Sequence, residues 1–156
     1  MHVYVRMCSR SSIADAHAIC ILLVMHYFLG GWTAHTSDHD NAWIQADLHT
    51  LHLLYGVTTQ GRNGYNEWTE RYMLKYSYDG ISFVNVQSVS YSANWDQNTQ
   101  VTHLMPRNTV LRFLRLYPTQ FENAPNTRWN AFGSKYNKVM LCDVFARTLV
   151  TRRRVD

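Results

Sequence analysis

From Trp43 onward the apolar residues of this chain recur with a period of two, and that constrains the fold more than any other feature. Ile44, Ala46 and Leu48 alternate with Trp43, Gln45 and Asp47, which puts the two sets on opposite faces of a strand. Leu54 to Gln60 is β-branched and stops at Gly61. Tyr72 to Ser77, Phe83 to Val86, Val110 to Tyr117 and Arg128 to Phe132 read as further strands. Between them lie Arg62-Asn-Gly64, Tyr78-Asp-Gly80 and Asn94-Trp-Asp-Gln-Asn-Thr99, where Asn-Gly and Asp-Gly favour the left-handed backbone of tight hairpins. Short strands with turn signals between them indicate an all-β, antiparallel sandwich or barrel. After residue 30 there is no helical repeat of convincing length.

The chain has 156 residues, enough for one domain with a proper core. Hydrophobic residues make up 46% and charged ones 17%, too apolar a balance for a disordered chain. The net charge of +4 is unevenly placed. In 135–156, Lys135, Lys138, Arg147, Arg152, Arg153 and Arg154 face only Asp143 and Asp156, whereas 30–134 has seven basic and eight acidic residues. A nucleic-acid binder would carry its basic residues on the folded body, so nucleic acid is set aside as a partner. The tail is read as a solvated end or linker.

Cys8, Cys20 and Cys142 fit no zinc spacing, and one must stay unpaired within a monomer. In an oxidising compartment Cys142 can pair with Cys8 or with Cys20. Ala18 to Leu29 is an apolar stretch too short for a spanning helix, which needs ~20 residues. It suits the apolar region of a secretion signal, with Arg6 and Arg10 before it and Gly30-Gly31 after it. Asp15, His17 and His26 argue against that, and a buried strand or helix of the domain is the other reading.

Six segments, in order, carry a resemblance. They are Trp43-Ile-Gln-Ala-Asp-Leu48, Thr59-Gln-Gly-Arg62, Glu67-Trp68 with Tyr72 to Gly80, Asn94 to Thr99, Leu111-Arg-Phe-Leu-Arg-Leu-Tyr-Pro118, and Thr127-Arg-Trp-Asn-Ala-Phe-Gly133. Together they resemble the discoidin family, also called coagulation factor V/VIII type C domains. Gly31 to His35 and Asp38 to Asn41 fit the segment before the first motif. The resemblance implies an antiparallel jelly-roll β-sandwich over 30–134, with an unmatched, irregular segment at 1–29 and a basic tail at 135–156. Two departures stand out. Ser134 occupies the place of the family's closing cysteine, and 1–29 shows none of the family's first strand.

The same resemblance implies an extracellular binding module whose loops project from one end of the sandwich. Arg62, Asn63, Gly64, Tyr65 and Asn66 match one projection, and a glycine-tipped hairpin between apolar strands holds Tyr65 towards solvent on physical grounds alone. Relatives that bind phospholipid place bulky aliphatic residues there. A Tyr among Arg and Asn suits stacking on a sugar face with hydrogen bonds to hydroxyls, or a protein partner. His35, Asp38, His39 and Asp40 are the densest set of potential ligands, and Trp95 and Asp96 lie on a second loop. A loop His pair does not guarantee zinc geometry, and two aspartates supply too few oxygens for calcium, so no metal or other cofactor is expected.

Trp32, Trp43, Trp68 and Trp129 are expected in the core. Arg112 and Arg115, three apart on a strand, should fall on opposite faces. One is expected to point inward and pair with Asp47 or Glu67, Arg112 being assigned the structural part. No nucleophile motif, phosphate loop or HExxH helix is present. The expectation is therefore a non-enzymatic module for cell-surface or matrix glycans and glycoproteins, acting in adhesion. Peripheral binding to anionic phospholipid is the alternative.

Overall fold

The computed structural model describes the backbone of Val3–Arg6 and Cys20–Leu22, and in full 31–34, His39, 42–105 and 109–136. Among the described residues there are ten strands: β1 (Val3–Arg6), β2 (Cys20–Leu22), β3 (Trp32–Thr33), β4 (Ile44–Gln60), β5 (Trp68–Ser77), β6 (Val84–Asn85), β7 (Tyr91–Ser92), β8 (Val101–Leu104), β9 (Val110–Glu122) and β10 (Asn126–Lys135). They form one curled sheet with the central order β2-β10-β4-β9-β5-β6. All pairings are antiparallel except that of β1 with β4.

The two strands expected at 43–48 and 54–60 are a single strand of 17 residues. Its first part lies between β1 and β9, and its second between β10 and β8. The register with β9 slips between Asp47 and His52, where His49 takes φ 60° and donates its N–H to Asp47 Oδ1 at 2.8 Å. This bulge breaks the alternation, which is why sequence periodicity shows two strands. It also lets β4 turn from one layer of the fold to the other.

Inside the curl, Ile44, Ala46, Leu74, Leu111, Leu114 and Leu116 are all but fully covered, with Trp129 as the largest filler. Each such Ile or Leu side chain contributes ~1.5–3 kcal/mol on burial. Tyr72 stacks on Tyr91 at 5.3 Å, and burial pushes its phenol well above the usual range.

Two expectations need correction. Leu111 and Leu114 are both buried although three apart, because β9 crosses the register shift between them. Arg112 and Arg115 therefore do not divide between faces, and neither is buried. Arg112 does pair with Asp47, through Nε to Oδ1 at 2.8 Å and Nη2 to Oδ2 at 3.0 Å. Trp32, Trp43 and Trp129 are buried, but Trp68 is only half-buried and borders a cleft.

The register fixes which loops share an end. Trp68 is opposite Glu122 and Gln60 is opposite Arg128, so the 61–67 hairpin and the turn at 123–125 emerge together.

Candidate functional site

The hairpin at this end is closed by Arg62 N–H to Glu67 O at 2.9 Å and Tyr65 N–H to Arg62 O at 3.3 Å. Gly64 supplies φ 81° at its tip. Asn63 and Asn66 are exposed, and Tyr65 is 51% exposed. One face of the Tyr65 ring is covered, because the Arg62 guanidinium lies 3.7 Å from its centroid. The same guanidinium pairs with Glu67 at 2.7 Å. Arg62 thus stiffens the hairpin rather than reaching outward.

The 94–99 loop is folded by its own polar groups. Asn94 donates from Nδ2 to the carbonyls of Thr59 at 3.1 Å and Thr99 at 2.8 Å. Asp96 Oδ1 accepts from the N–H groups of Asn98 at 2.9 Å and Thr99 at 2.6 Å, and Oδ2 accepts from the Thr99 hydroxyl at 2.6 Å. The Thr99 hydroxyl, then its backbone N–H, hold the Asp96 carboxyl below the usual range against a smaller opposing effect of desolvation. Asp96 is therefore a loop-forming group with both oxygens engaged. Trp95, next to it, stands 65% exposed.

The two projections touch. Gln97 Nε2 donates to Asn66 Oδ1 at 2.8 Å, and Asn123 Nδ2 donates to Asn66 O at 2.6 Å. Beneath them Arg128 donates from Nε to Gly61 O at 2.7 Å, and from Nη2 to Gln97 O at 2.7 Å and Asn98 Oδ1 at 2.9 Å. Gln60 Nε2 adds a bond to Asn98 O at 2.6 Å. Gly61 is required by close approach: a Cβ there would meet Asp96 O at 2.6 Å and Trp68 Cβ at 2.7 Å.

Between the projections lies an open cleft of about 310 Å³, lined by Asn66, Trp68, Asp96, Gln97 and Asn98. Its lining is neutral amides, an indole and a carboxylate already engaged. Of the nearby guanidiniums, Arg62 is ion-paired with Glu67, its Nε being buried without a partner among the described residues, and Arg128 donates to three oxygens of the protein itself. Such a surface offers hydrogen bonds to hydroxyls with aromatic edges beside them, and no free positive charge for a phosphate.

Of the residues expected from sequence, Asn66 and Asp96 line the cleft, while Tyr65 and Trp95 are each one residue from its lining. His39 sits near this end, its ring edge-on to Phe121 at 5.4 Å and its Nε2 buried without a partner among the described residues. His35, Asp38 and Asp40 lie outside the described residues, as do the side chains of the three cysteines. Sequence reasoning missed Gln60, Gln97, Asn98, Asn123 and Arg128. Four of these were inside motifs already singled out (Gln60 in the 59–62 run, Gln97 and Asn98 in the 94–99 run, Arg128 in the closing motif). Their roles depend on long-range pairing that no local pattern carries. Among the described residues no three His, Cys, Asp or Glu side chains are grouped to hold a metal.

The sequence profile of the F5/8 type C domain matches residues 27–137. The non-catalytic subunit of the venom prothrombin activator omicarin-C of Oxyuranus microlepidotus is 27% identical over 110 residues, covering 65% of this chain and 8% of that protein. Discoidin-2 of Dictyostelium discoideum is 26% identical over 103 residues, covering 65% of this chain and 40% of its own length. The chain thus spans well under half of these relatives. Among solved structures, wild-type discoidin II of Dictyostelium discoideum superposes with a TM-score of 0.59 at 21% identity, covering 81% of this chain and 47% of that one. That likeness identifies the curled sheet as an antiparallel jelly-roll β-sandwich.

Proposed function

The chain belongs to the F5/8 type C domain family, and from that premise we propose that it is an extracellular, non-catalytic module that binds cell-surface or matrix glycans in adhesion. Residues 30–134 are the binding domain in this reading, and 135–156 a basic tail or linker. The observation that carries it is the cleft between the 62–66 and 94–99 projections, whose free hydrogen-bonding groups are neutral amides. A sugar presents hydroxyls to such groups and an apolar face to a ring. Trp95 is the exposed ring best placed for the second part, since Arg62 already covers one face of Tyr65. The extracellular placement draws support from the venom relative, whose name describes a secreted material.

A glycan array probed with the folded chain and with Trp95→Ala tests this reading. Expected are signals on neutral glycans that fall about two- to tenfold in the variant, since stacking on a ring is worth ~0.5–1.5 kcal/mol. Flotation with phosphatidylserine vesicles is the opposing arm. Binding there, with a blank array, would replace the glycan reading with the phospholipid one.

A further inference from the structure

On the outer face of β4, β9 and β5, Arg115 lies directly opposite Lys75 in the antiparallel register. Like charges placed so are destabilising, with Cβ atoms ~5 Å apart. Among the described residues no carboxylate is paired with either cation. They are held by aromatic rings instead. The Arg115 guanidinium sits 3.9 Å from the Trp43 ring centroid and 3.6 Å from that of Phe83, so it is sandwiched. Lys75 Nζ lies 4.7 Å from the Tyr117 centroid.

Arg115 is also fixed from below. Its Nε donates to Oε1 of Gln45 at 2.8 Å, and Gln45 is only 3% exposed. Its Nη1 donates to the Tyr117 hydroxyl at 3.3 Å, which leaves that hydroxyl's own proton free to donate. The neighbouring Arg112 shows what a self-sufficient pair looks like on this face, since the carboxylate of Asp47 takes two of its N–H groups. Two residues earlier on the same face of β4, the position opposite Arg115 is the neutral Gln45. The second cation has therefore been positioned but not neutralised.

We propose that this face binds an oxyanion group (sulfate, phosphate or carboxylate) between the Arg115 fork, the Lys75 ammonium and the Tyr117 hydroxyl. A planar guanidinium already locked by two rings and an amide loses little freedom on accepting such a group. The anion also removes the repulsion between the two facing cations. The site is distinct from the cleft: Lys75 is seven residues along β5 from Trp68, about 23 Å at strand rise.

Thermal unfolding of the full chain and of Lys75→Met in sodium sulfate and in sodium chloride of matched ionic strength tests this. In chloride, Lys75→Met should melt ~1–2 °C higher, because a like-charge contact is gone. In sulfate, the wild type should gain ~3 °C beyond the gain of the variant, which reports the general salting effect of sulfate alone. In parallel, the Arg115 Nε–Hε resonance should shift saturably with sulfate while that of Arg112 stays in place. Titrations with a sulfated disaccharide and with a glutamate-rich peptide then separate the sources, the tighter of the two naming the group. Superimposable sulfate responses in wild type and Lys75→Met, or an unmoved Arg115 resonance, would overturn the proposal. Loss of cleft binding in Trp95→Ala leaves all these readouts unchanged, so the two sites succeed or fail separately.

Discussion

The loop end and the outer face of the β4-β9-β5 layer both display arginines beside aromatic rings, yet they use them in opposite ways. At the loop end Arg128 is engaged by two backbone carbonyls and an amide, and Arg62 by Glu67 and the Tyr65 ring. Those cations build the cleft and leave its surface neutral. On the outer face Arg115 has rings above and below and an amide beneath, but no acid among the described residues. The difference teaches that counting arginines near a surface says little about its ligand. What matters is what already engages them: a carboxylate for Arg62, three protein oxygens for Arg128, and for Arg115 an amide oxygen, a phenol and two rings.

The strongest way to break the comparison is to spoil the loop end alone. Gly61→Ala places a methyl within 2.6–2.7 Å of Asp96 O and Trp68 Cβ, and the first is backbone that cannot swing aside. The expected loss is ~1–3 kcal/mol by urea denaturation, as for other overpacked sites. Glycan binding should fall below detection, because the 94–99 loop moves away from the hairpin. The sulfate response of the outer face should persist. If both vanish together, the two regions are one cooperative unit and the contrast fails.

Arg128→Met comes next. It keeps the alkyl stem but leaves Gly61 O, Gln97 O and Asn98 Oδ1 without their donor. A stability loss of ~1–2 kcal/mol is expected, since water can reach part of this group and replace some bonds. Binding to the array should weaken about tenfold, in line with a further ~1.4 kcal/mol lost in holding the cleft's shape.

How much of this was legible in the sequence follows from which contacts are local. Alternation through Trp43 to Leu48 and Tyr72 to Ser77 gave strands and faces, because a strand's faces are set by its own residues. The Arg62–Gly64 tip and the Asn94–Thr99 loop were also visible, since their hydrogen bonds join residues two to five apart. The joining of two strands into β4 was not, because the bulge at His49 hides the continuity behind broken alternation. For an inward-pointing arginine the sequence left Asp47 and Glu67 open as partners; the structure pairs Arg112 with Asp47, in a position on the outer face that depends on that same bulge. Arg128, 31 residues from Gln97, acquires its role only through the β4–β10 register.

Acid sharpens the contrast through two carboxylates. Asp47 on the outer face is held below the usual range chiefly by its hydrogen bond to Arg112, and Asp96 in the loop chiefly by the Thr99 hydroxyl. Both folded values lie below the unfolded one of about 3.9. Their contributions are thus present above that pH and are lost as pH falls through each depressed folded value. Thr99→Val should move the Asp96 carboxyl resonance in an NMR titration back towards the ordinary value and raise the pH at which glycan binding fades. The Asp47 titration should not change. A shift of both would mean that the loop and the sheet face titrate as a coupled pair.

The smallest expected effect comes from the other glycine of the hairpin. Gly64 has φ 81° but nothing within 4 Å of a built Cβ, so Gly64→Ala meets only the cost of a left-handed backbone. That cost is about 1 kcal/mol. Unfolding should shift by roughly 2–4 °C for a chain of this size, with glycan affinity lowered no more than a few-fold. Set beside Gly61→Ala, this isolates conformation from crowding three residues apart in one hairpin. Should Gly64→Ala prove as damaging to binding as Gly61→Ala, the recognising element would be the hairpin tip with Tyr65, and the cleft behind it only a consequence of how that tip is supported.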